Sequence, residues 1–161
     1  MRHTVDLGTK GRYAVMAMAD LALHSSGRPV ALADIAARQD ISLSYLEQLL
    51  AKLRKQGMIK STRGPRGGYM LNKAPEDIPI LDIIKAIEEP NRRRKNGFPV
   101  DMTTARGWNL TAALWHELDE RVEGFLGAVT LDDVVNRRIG GDRRIFGNGA
   151  DPFRTPAGED T

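Results

Sequence analysis

Residues 33–56 carry two stretches of helical apolar spacing separated by only three residues, and that short interval narrows what the chain can fold into. In the first, 33–39 (ADIAARQ), Ile35 and Ala36 fall on one side of a short helix. In the second, Leu43 to Gln56, the residues Leu46, Leu49, Leu50 and Leu53 line one face at steps of three, one and three. Asp40-Ile41-Ser42 is the tight turn between them, and Gly57 supplies the residue that ends a helix in left-handed backbone. Residues 58–63 then read as extended, 64–68 (GPRGG) as a flexible basic turn and Tyr69-Met70-Leu71 as the returning strand. Short helix, turn, helix and hairpin in that order make a winged helix-turn-helix.

The flanking segments fit the same plan. Residues 10–24 predict a helix with Ala14, Val15, Met18, Leu21 and Ala22 at helical spacing, stopped by Ser25-Ser26-Gly27-Arg28-Pro29. Val30-Ala31-Leu32 is short and apolar enough to pair as a minor strand. After the hairpin, Leu81–Glu88 predicts another helix, and Pro90 breaks the chain. Residues 91–107 lack a clean period and read as a loop. A long helix from Trp108 to Ala128 follows, then a short one capped by Thr130 and running through Val135. From Arg137 the Gly-, Arg- and Pro-rich tail is expected to be disordered. The expected fold class is therefore mainly α with a small β-hairpin wing, a winged helix-turn-helix plus a long dimerisation helix. Its expected divisions are a head at 1–89, a loop at 90–107, the long and terminal helices at 108–136 and a tail at 137–161.

Charge points to a partner. Residues 1–75 carry 12 Lys and Arg against 5 Asp and Glu, a net +7, whereas residues 76–161 carry 12 against 16, a net −4. A basic head on an acidic body suits a polyanion. The polar face of the second helix bears Ser44, Tyr45, Gln48 and Lys52, and its first turn and a half holds Ser42, Ser44, Tyr45, Glu47 and Gln48. A DNA major groove admits one helix with its N-terminal side chains toward the base edges. Arg63 and Arg66 lie among glycines at the hairpin tip, so two cations can approach a phosphate or a minor groove closely. Lys10 and Arg12 open the first helix and add to the same set of candidate DNA contacts.

Plainer roles compete. Ser44 and Glu47 fit the spacing of a capping box, which would occupy Glu47 with the cap amide instead of with a cytosine amino group. The glycine-rich turn fits a solvated hairpin equally well. It is not a phosphate loop, because the Gly-Lys-Ser/Thr ending is missing. Arg54 and Lys55 suit the C-terminal dipole of their helix. The run Arg92-Arg93-Arg94-Lys95 reads as a solvated loop or as extra phosphate contact.

Several blocks carry a resemblance. Thr9-Lys10-Gly11-Arg12-Tyr13-Ala14, the stretch from Ile41 to Leu49 (ISLSYLEQL) and that from Ser61 to Tyr69 (STRGPRGGY) resemble the first-helix, recognition-helix and wing motifs of IscR-type regulators, named for iron–sulfur clusters. The likeness runs without a gap over about residues 8–88. It returns in Leu110-Thr111-Ala112-Ala113-Leu114-Trp115, and again from Gly124-Phe125-Leu126 to Thr130-Leu131. The resemblance implies a DNA-binding transcriptional regulator of iron–sulfur or iron metabolism genes. It implies DNA contacts from Ser42, Ser44, Tyr45, Glu47, Gln48, Ser61 and Arg63, with Glu47 discriminating between operator classes. It also implies three cysteines and a histidine holding a cluster between the wing and the long helix. The chain has no cysteine at all. Asn109 stands where the last cysteine would precede Leu-Thr, and Ala112 stands where the histidine would be. No cofactor or metal site is expected; a cluster would need ligands such as His3, His24, His116 or Asp101, poor substitutes for thiolates.

The long helix bears a stripe of Leu110, Leu114, Leu118, Val122, Phe125 and Leu126 along about 30 Å. The head has too little spare surface to cover it, so a second copy of the same helix is the expected partner in a twofold homodimer. The alternative is that the helix folds back on its own head. Expected partners are double-stranded DNA and a second protomer, with no membrane and no small-molecule substrate, and the expected location is the cytoplasm. The competing class is a winged-helix protein–protein module without DNA binding. An enzyme is not expected, since no nucleophile–base pairing, HExxH, phosphate loop or dinucleotide fingerprint is present.

Overall fold

The computed structural model describes residues 8–88 and 106–139, with the backbone alone for 106–109. Its elements are α1 (Thr9–His24), α2 (Leu32–Gln39), α3 (Leu43–Lys55), β1 (Ile59–Thr62), β2 (Gly68–Leu71), a 3-10 turn (Pro75–Asp77), α4 (Ile80–Ile87), α5 (Arg106–Ala128) and α6 (Leu131–Val135). Apart from the 3-10 turn, which the sequence patterns did not predict, these are the expected elements in the expected order, with ends shifted by one or two residues.

The core explains why such short helices hold. An isolated helix of 13 residues such as α3 is marginal in water. In α3, however, Leu46, Leu49, Leu50 and Leu53 are all buried. At roughly 1.5–3 kcal/mol for each large apolar side chain removed from water, burial outweighs propensity. They pack with Ala14, Ala17, Met18 and Leu21 of α1, Ile35 and Ala36 of α2, and Ile83, Ile84 and Ile87 of α4 in one cluster. Asp40 turns the chain between α2 and α3 in left-handed backbone, φ 51° and ψ 48°.

At the other end of α3, Gly57 takes φ 76°. Its N–H donates to the Arg54 carbonyl at 2.9 Å, and the Met58 N–H to the Leu53 carbonyl at 3.1 Å. This pair of bonds ends the helix and turns the chain straight into β1. The hairpin pairs Ile59 with Leu71, Lys60 with Met70, Ser61 with Tyr69 and Thr62 with Gly68. Val30 adds a third, one-residue rung through two bonds with Tyr69, of 2.9 and 2.8 Å. Gly68 allows that approach, because a Cβ there would lie 2.2 Å from the Val30 carbonyl oxygen.

The C-terminal segment returns to the head. Ile80 N–H donates to the Val129 carbonyl at 2.9 Å and Leu131 N–H to the Ile78 carbonyl at 2.8 Å. Val129 and Leu131 are buried in the same cluster as α1 and α4. The expected division at residue 90 groups these residues with the long helix, yet their side chains help to build the head. Thr130 caps α6 as expected, in a reciprocal box with Asp133: 3.2 Å from the Asp133 N–H to Thr130 Oγ1, and 3.0 Å from the Thr130 N–H to Asp133 Oδ2. The Thr130 amide, more than any other contact, holds the Asp133 carboxyl below the usual range. Part of the expected disordered tail is folded: Arg138 pairs with Asp132 and Asp133, and Ile139 packs against the core. The rest of that expected tail, from 140, lies outside the described residues, as do residues 89–105, while Arg106 and Gly107, expected in a loop, begin α5.

The α5 stripe divides in two. Val122, Phe125 and Leu126 are half-buried against the head, so this end does fold back on its own domain. Toward the N-terminal end, Leu110, Leu114 and Leu118 are 86%, 60% and 48% exposed, and Trp115 is exposed beside them. No described helix is long and apolar enough to cross a membrane.

Candidate nucleic-acid interface

The first turn of α3 is set by Ser42, which sits in extended backbone and accepts a hydrogen bond from the Tyr45 N–H at 3.3 Å. A capping box between Ser44 and Glu47 is therefore not formed. The cap lies two residues earlier and its N3 position is Tyr45, whose phenol cannot return to the cap amide. Glu47 stands in the following turn, exposed and outside the cap. Ser42, Ser44, Glu47 and Gln48 are all exposed, so four of the expected base-reading side chains face outward.

Tyr45 is half-buried. Its ring meets Tyr13 edge to face, with centroids 5.7 Å apart and planes at 82°. Burial, then the neighbouring Tyr13, pushes its phenol above the ordinary tyrosine value, so it stays a neutral donor. This ring pair brings the opening turns of α1 and α3 together, a contact the sequence patterns did not reveal. Arg12, beside Tyr13, is exposed and lines an open groove of about 450 Å³ with Gly8, Thr9, Tyr13 and Met16. Lys10 is half-buried in α1, and Lys52 half-buried near the end of α3.

The wing follows α3 after three residues, Gln56 to Met58, and is tied to it. Asn72 Nδ2 donates to the Gly57 carbonyl at 3.0 Å, and Asn72 N–H to the Met58 carbonyl at 2.9 Å. Arg54 Nη1 donates to Ser61 Oγ at 3.1 Å. The Arg54 side chain thus does more than offset a helix dipole, and the Ser61 hydroxyl already has one partner. At the tip, Gly67 N–H closes a turn on the Gly64 carbonyl at 2.9 Å, and Arg63 and Arg66 are both exposed.

Sequence reasoning overlooked Asp20, the one charged residue among the buried described side chains, at 1% exposure. Arg38 donates to both its carboxylate oxygens, Nε to Oδ2 at 3.0 Å and Nη2 to Oδ1 at 2.8 Å, and Gln39 Nε2 donates to Oδ2 at 2.8 Å. Burial pushes the carboxyl up, but the bonds from Arg38 and Gln39 and the charges of Arg38 and His24 outweigh it and hold it below the ordinary value. The clamp fixes α2 against α1, and hence the angle at which α3 is presented. The signal was an acid three residues from Ala17 and six from Ala14 on an inward face, which requires a cationic partner.

An exposed polar helix face, a cationic hairpin tied to it and a core that sets their angle make up the head. The model of the Rrf2 family, described as iron-dependent transcriptional regulators, matches residues 7–137. The chain belongs to the Rrf2 family. It is 46% identical over 140 residues to the HTH-type transcriptional regulator IscR of Photorhabdus laumondii, covering 82% of this chain and 80% of that one. The IscR of Klebsiella pneumoniae is 47% identical over the same length and shares. Among solved structures, IscR of T. potens superposes with a TM-score of 0.66 at 39% identity, covering 85% of this chain and 90% of that one. CymR, the global cysteine regulator of B. subtilis, gives 0.65 at 32% identity, covering 82% and 97%. These Rrf2 relatives are regulators, not enzymes.

An iron–sulfur cluster does not fit the residues present. Such clusters are held by thiolates, and this Rrf2 chain has none. Asn109 and Ala112, where the resemblance implies a cysteine and a histidine, both belong to α5. Of the substitute ligands, His24 Nδ1 lies 3.0 Å from the Asp20 main-chain oxygen, and His116 Nε2 lies 3.5 Å from Glu120 one turn on. They sit on different helices, and no three His, Asp or Glu among the described residues are grouped as a metal site. His3 and Asp101 lie outside the described residues.

Proposed function

We propose that the protein is a transcriptional regulator that reads a pseudo-palindromic DNA operator as a homodimer, acts on iron or iron–sulfur metabolism genes as its relatives' family description suggests, and does so without a cluster of its own. The observation that carries this reading is the outward row Ser42, Ser44, Glu47 and Gln48 on α3, with Arg63 and Arg66 exposed on the wing tied to that helix. Gln48 and Glu47 would meet base edges in the major groove; Ser42, Ser44, Tyr45 and Ser61 would fix the register through hydrogen bonds. Lys10, Arg12, Lys52, Arg63 and Arg66 would neutralise phosphates. The head, with the docked end of α5 and the segment through Leu131, acts as the reading unit, and the exposed row Leu110, Leu114 and Leu118 of α5 joins the protomers. A twofold axis would hold the two α3 helices about 34 Å apart, or a multiple of that.

Salt dependence tests it. With five cationic contacts in each protomer, the slope of log affinity against log salt reaches at most about −9 for a dimer, at roughly 0.9 per phosphate. Arg63→Ala removes one contact per protomer and is expected to flatten the slope by about two units while lowering affinity. Fluorescence anisotropy on a duplex selected by the parent protein measures both. Salt-independent binding by the parent, or an unchanged Arg63→Ala variant, would overturn the reading. Binding that stays the same with or without iron and sulfide, aerobically or anaerobically, tests the cluster-free part separately.

A further inference from the structure

The Arg54–Ser61 bond joins two exposed side chains outside the core, and its chemistry has a direction. A guanidinium carries only donors, so in the 3.1 Å contact Ser61 Oγ is necessarily the acceptor. The hydroxyl proton is then turned away from Arg54. Ser61 is exposed on β1, and its cross-strand partner is Tyr69. We propose that Arg54 is a positioning residue that presents Ser61 to DNA as a hydrogen-bond donor, so that this wing position selects an acceptor atom: a phosphate oxygen, or the N7, O6 or O4 of a base. A base amino group is disfavoured there, because it would bring a second donor toward a hydroxyl already facing a cation.

Two further features keep the pair in register. Only Gln56, Gly57 and Met58 separate α3 from β1, and Asn72 closes the base of the hairpin on the Gly57 and Met58 carbonyls. The hairpin base is therefore held against α3, and the reach from Arg54 to Ser61 is set by the fold. A cation meant only to offset the helix dipole would need no such partner, and Lys52 and Lys55 in the same last turn supply that charge already.

This inference rests on the DNA-binding reading above, and a double-mutant cycle on the full chain tests it. The variants are Ser61→Ala, Arg54→Met and the pair, measured on the duplex selected by the parent, with thermal melts to verify folding. Each single change is expected to weaken binding roughly five- to hundredfold, as for one hydrogen bond lost in each protomer of the dimer. The double variant should bind no more weakly than Ser61→Ala, and Arg54→Met should keep the parental salt slope. A further loss on adding Arg54→Met to Ser61→Ala, with the slope flattened by about two units, would mean that Arg54 touches phosphate itself and would overturn the proposal. So would a cycle in which neither single change alters affinity. Parent and Arg63→Ala run alongside separate the two ideas: if the parent shows no salt-dependent binding, the DNA reading fails; if it does while the cycle is additive, only this inference fails.

Discussion

Asp20 concentrates the cost and the gain of one charge in the middle of the head. Its carboxylate is stripped of water and then given three side-chain donors from α2, two of them on one guanidinium. Arg38 itself stays partly in water, so the pair straddles the surface of the core. Removing the charge leaves the Arg38 fork and Gln39 facing a weaker acceptor. Asp20→Asn is therefore expected to destabilise the head by roughly 2–4 kcal/mol at neutral pH. The pH dependence has a definite sign. The folded carboxyl lies below its ordinary value of 3.8, so its contribution is complete above that value and is lost as pH falls through the lower folded one. Melts of parent and variant should differ most at pH 7 and converge in acid; a gap that widens below pH 4 would contradict this account. No pattern in the sequence announced the clamp. Periodicity marks where apolar residues recur, and Asp20 interrupts that pattern without naming its partner, which lies 18 residues away on another helix. The same limit hid the Tyr13–Tyr45 contact and left the Ser44–Glu47 capping box open as an alternative, since two serines two residues apart offer the helix rival starts and local geometry chooses Ser42.

At the level of elements, legibility was high where a residue type is forced by backbone. Gly57 and the glycine-rich tip marked the end of α3 and the hairpin turn, and the strands pair over the expected residues except that Gly68, read as part of the turn, already pairs with Thr62. The third rung from Val30 was readable as an apolar stretch, but its partner was not. That rung predicts a sharp effect at Gly68. A methyl group there would sit 2.2 Å from the Val30 carbonyl oxygen and 2.9 Å from the Ala31 nitrogen, both main-chain atoms that cannot yield as a side-chain tip can. Gly68→Ala should break both bonds between Val30 and Tyr69 and lose about 1–3 kcal/mol of stability. Amide exchange is expected to quicken at Val30 and Tyr69 while the amides of α4 remain protected. Operator affinity should fall with it, because Arg63 and Arg66 depend on the hairpin for their place. Retained protection at both residues would show that the wing absorbs the methyl and that the rung is not what holds it.

For the whole molecule, the decisive asymmetry lies along α5. Its C-terminal end is anchored to α4 through Leu126, Phe125 and Val122, whereas Leu110, Leu114 and Leu118 recur every four residues with nothing of their own chain over them among the described residues. The same helix carries Glu117, Asp119, Glu120 and Glu123 against Arg121, and phosphates would be repelled by that acidic excess, so a duplex is not the expected cover for the leucine row. In the homodimer proposed above, a second copy of the exposed leucine row is the cover. Burying three leucines and Trp115 from each protomer offers several kcal/mol on each side of a twofold contact. Leu114→Glu places a charge in the middle of that row, far from the head's buried cluster. It should leave the melting temperature of the head nearly unchanged, shift sedimentation from dimer to monomer, and weaken operator binding by about a hundredfold or more as the second head loses its high effective concentration. Full operator affinity in a Leu114→Glu monomer would mean that each head reads DNA alone, and a parent that sediments as a monomer would leave the leucine row to some other partner.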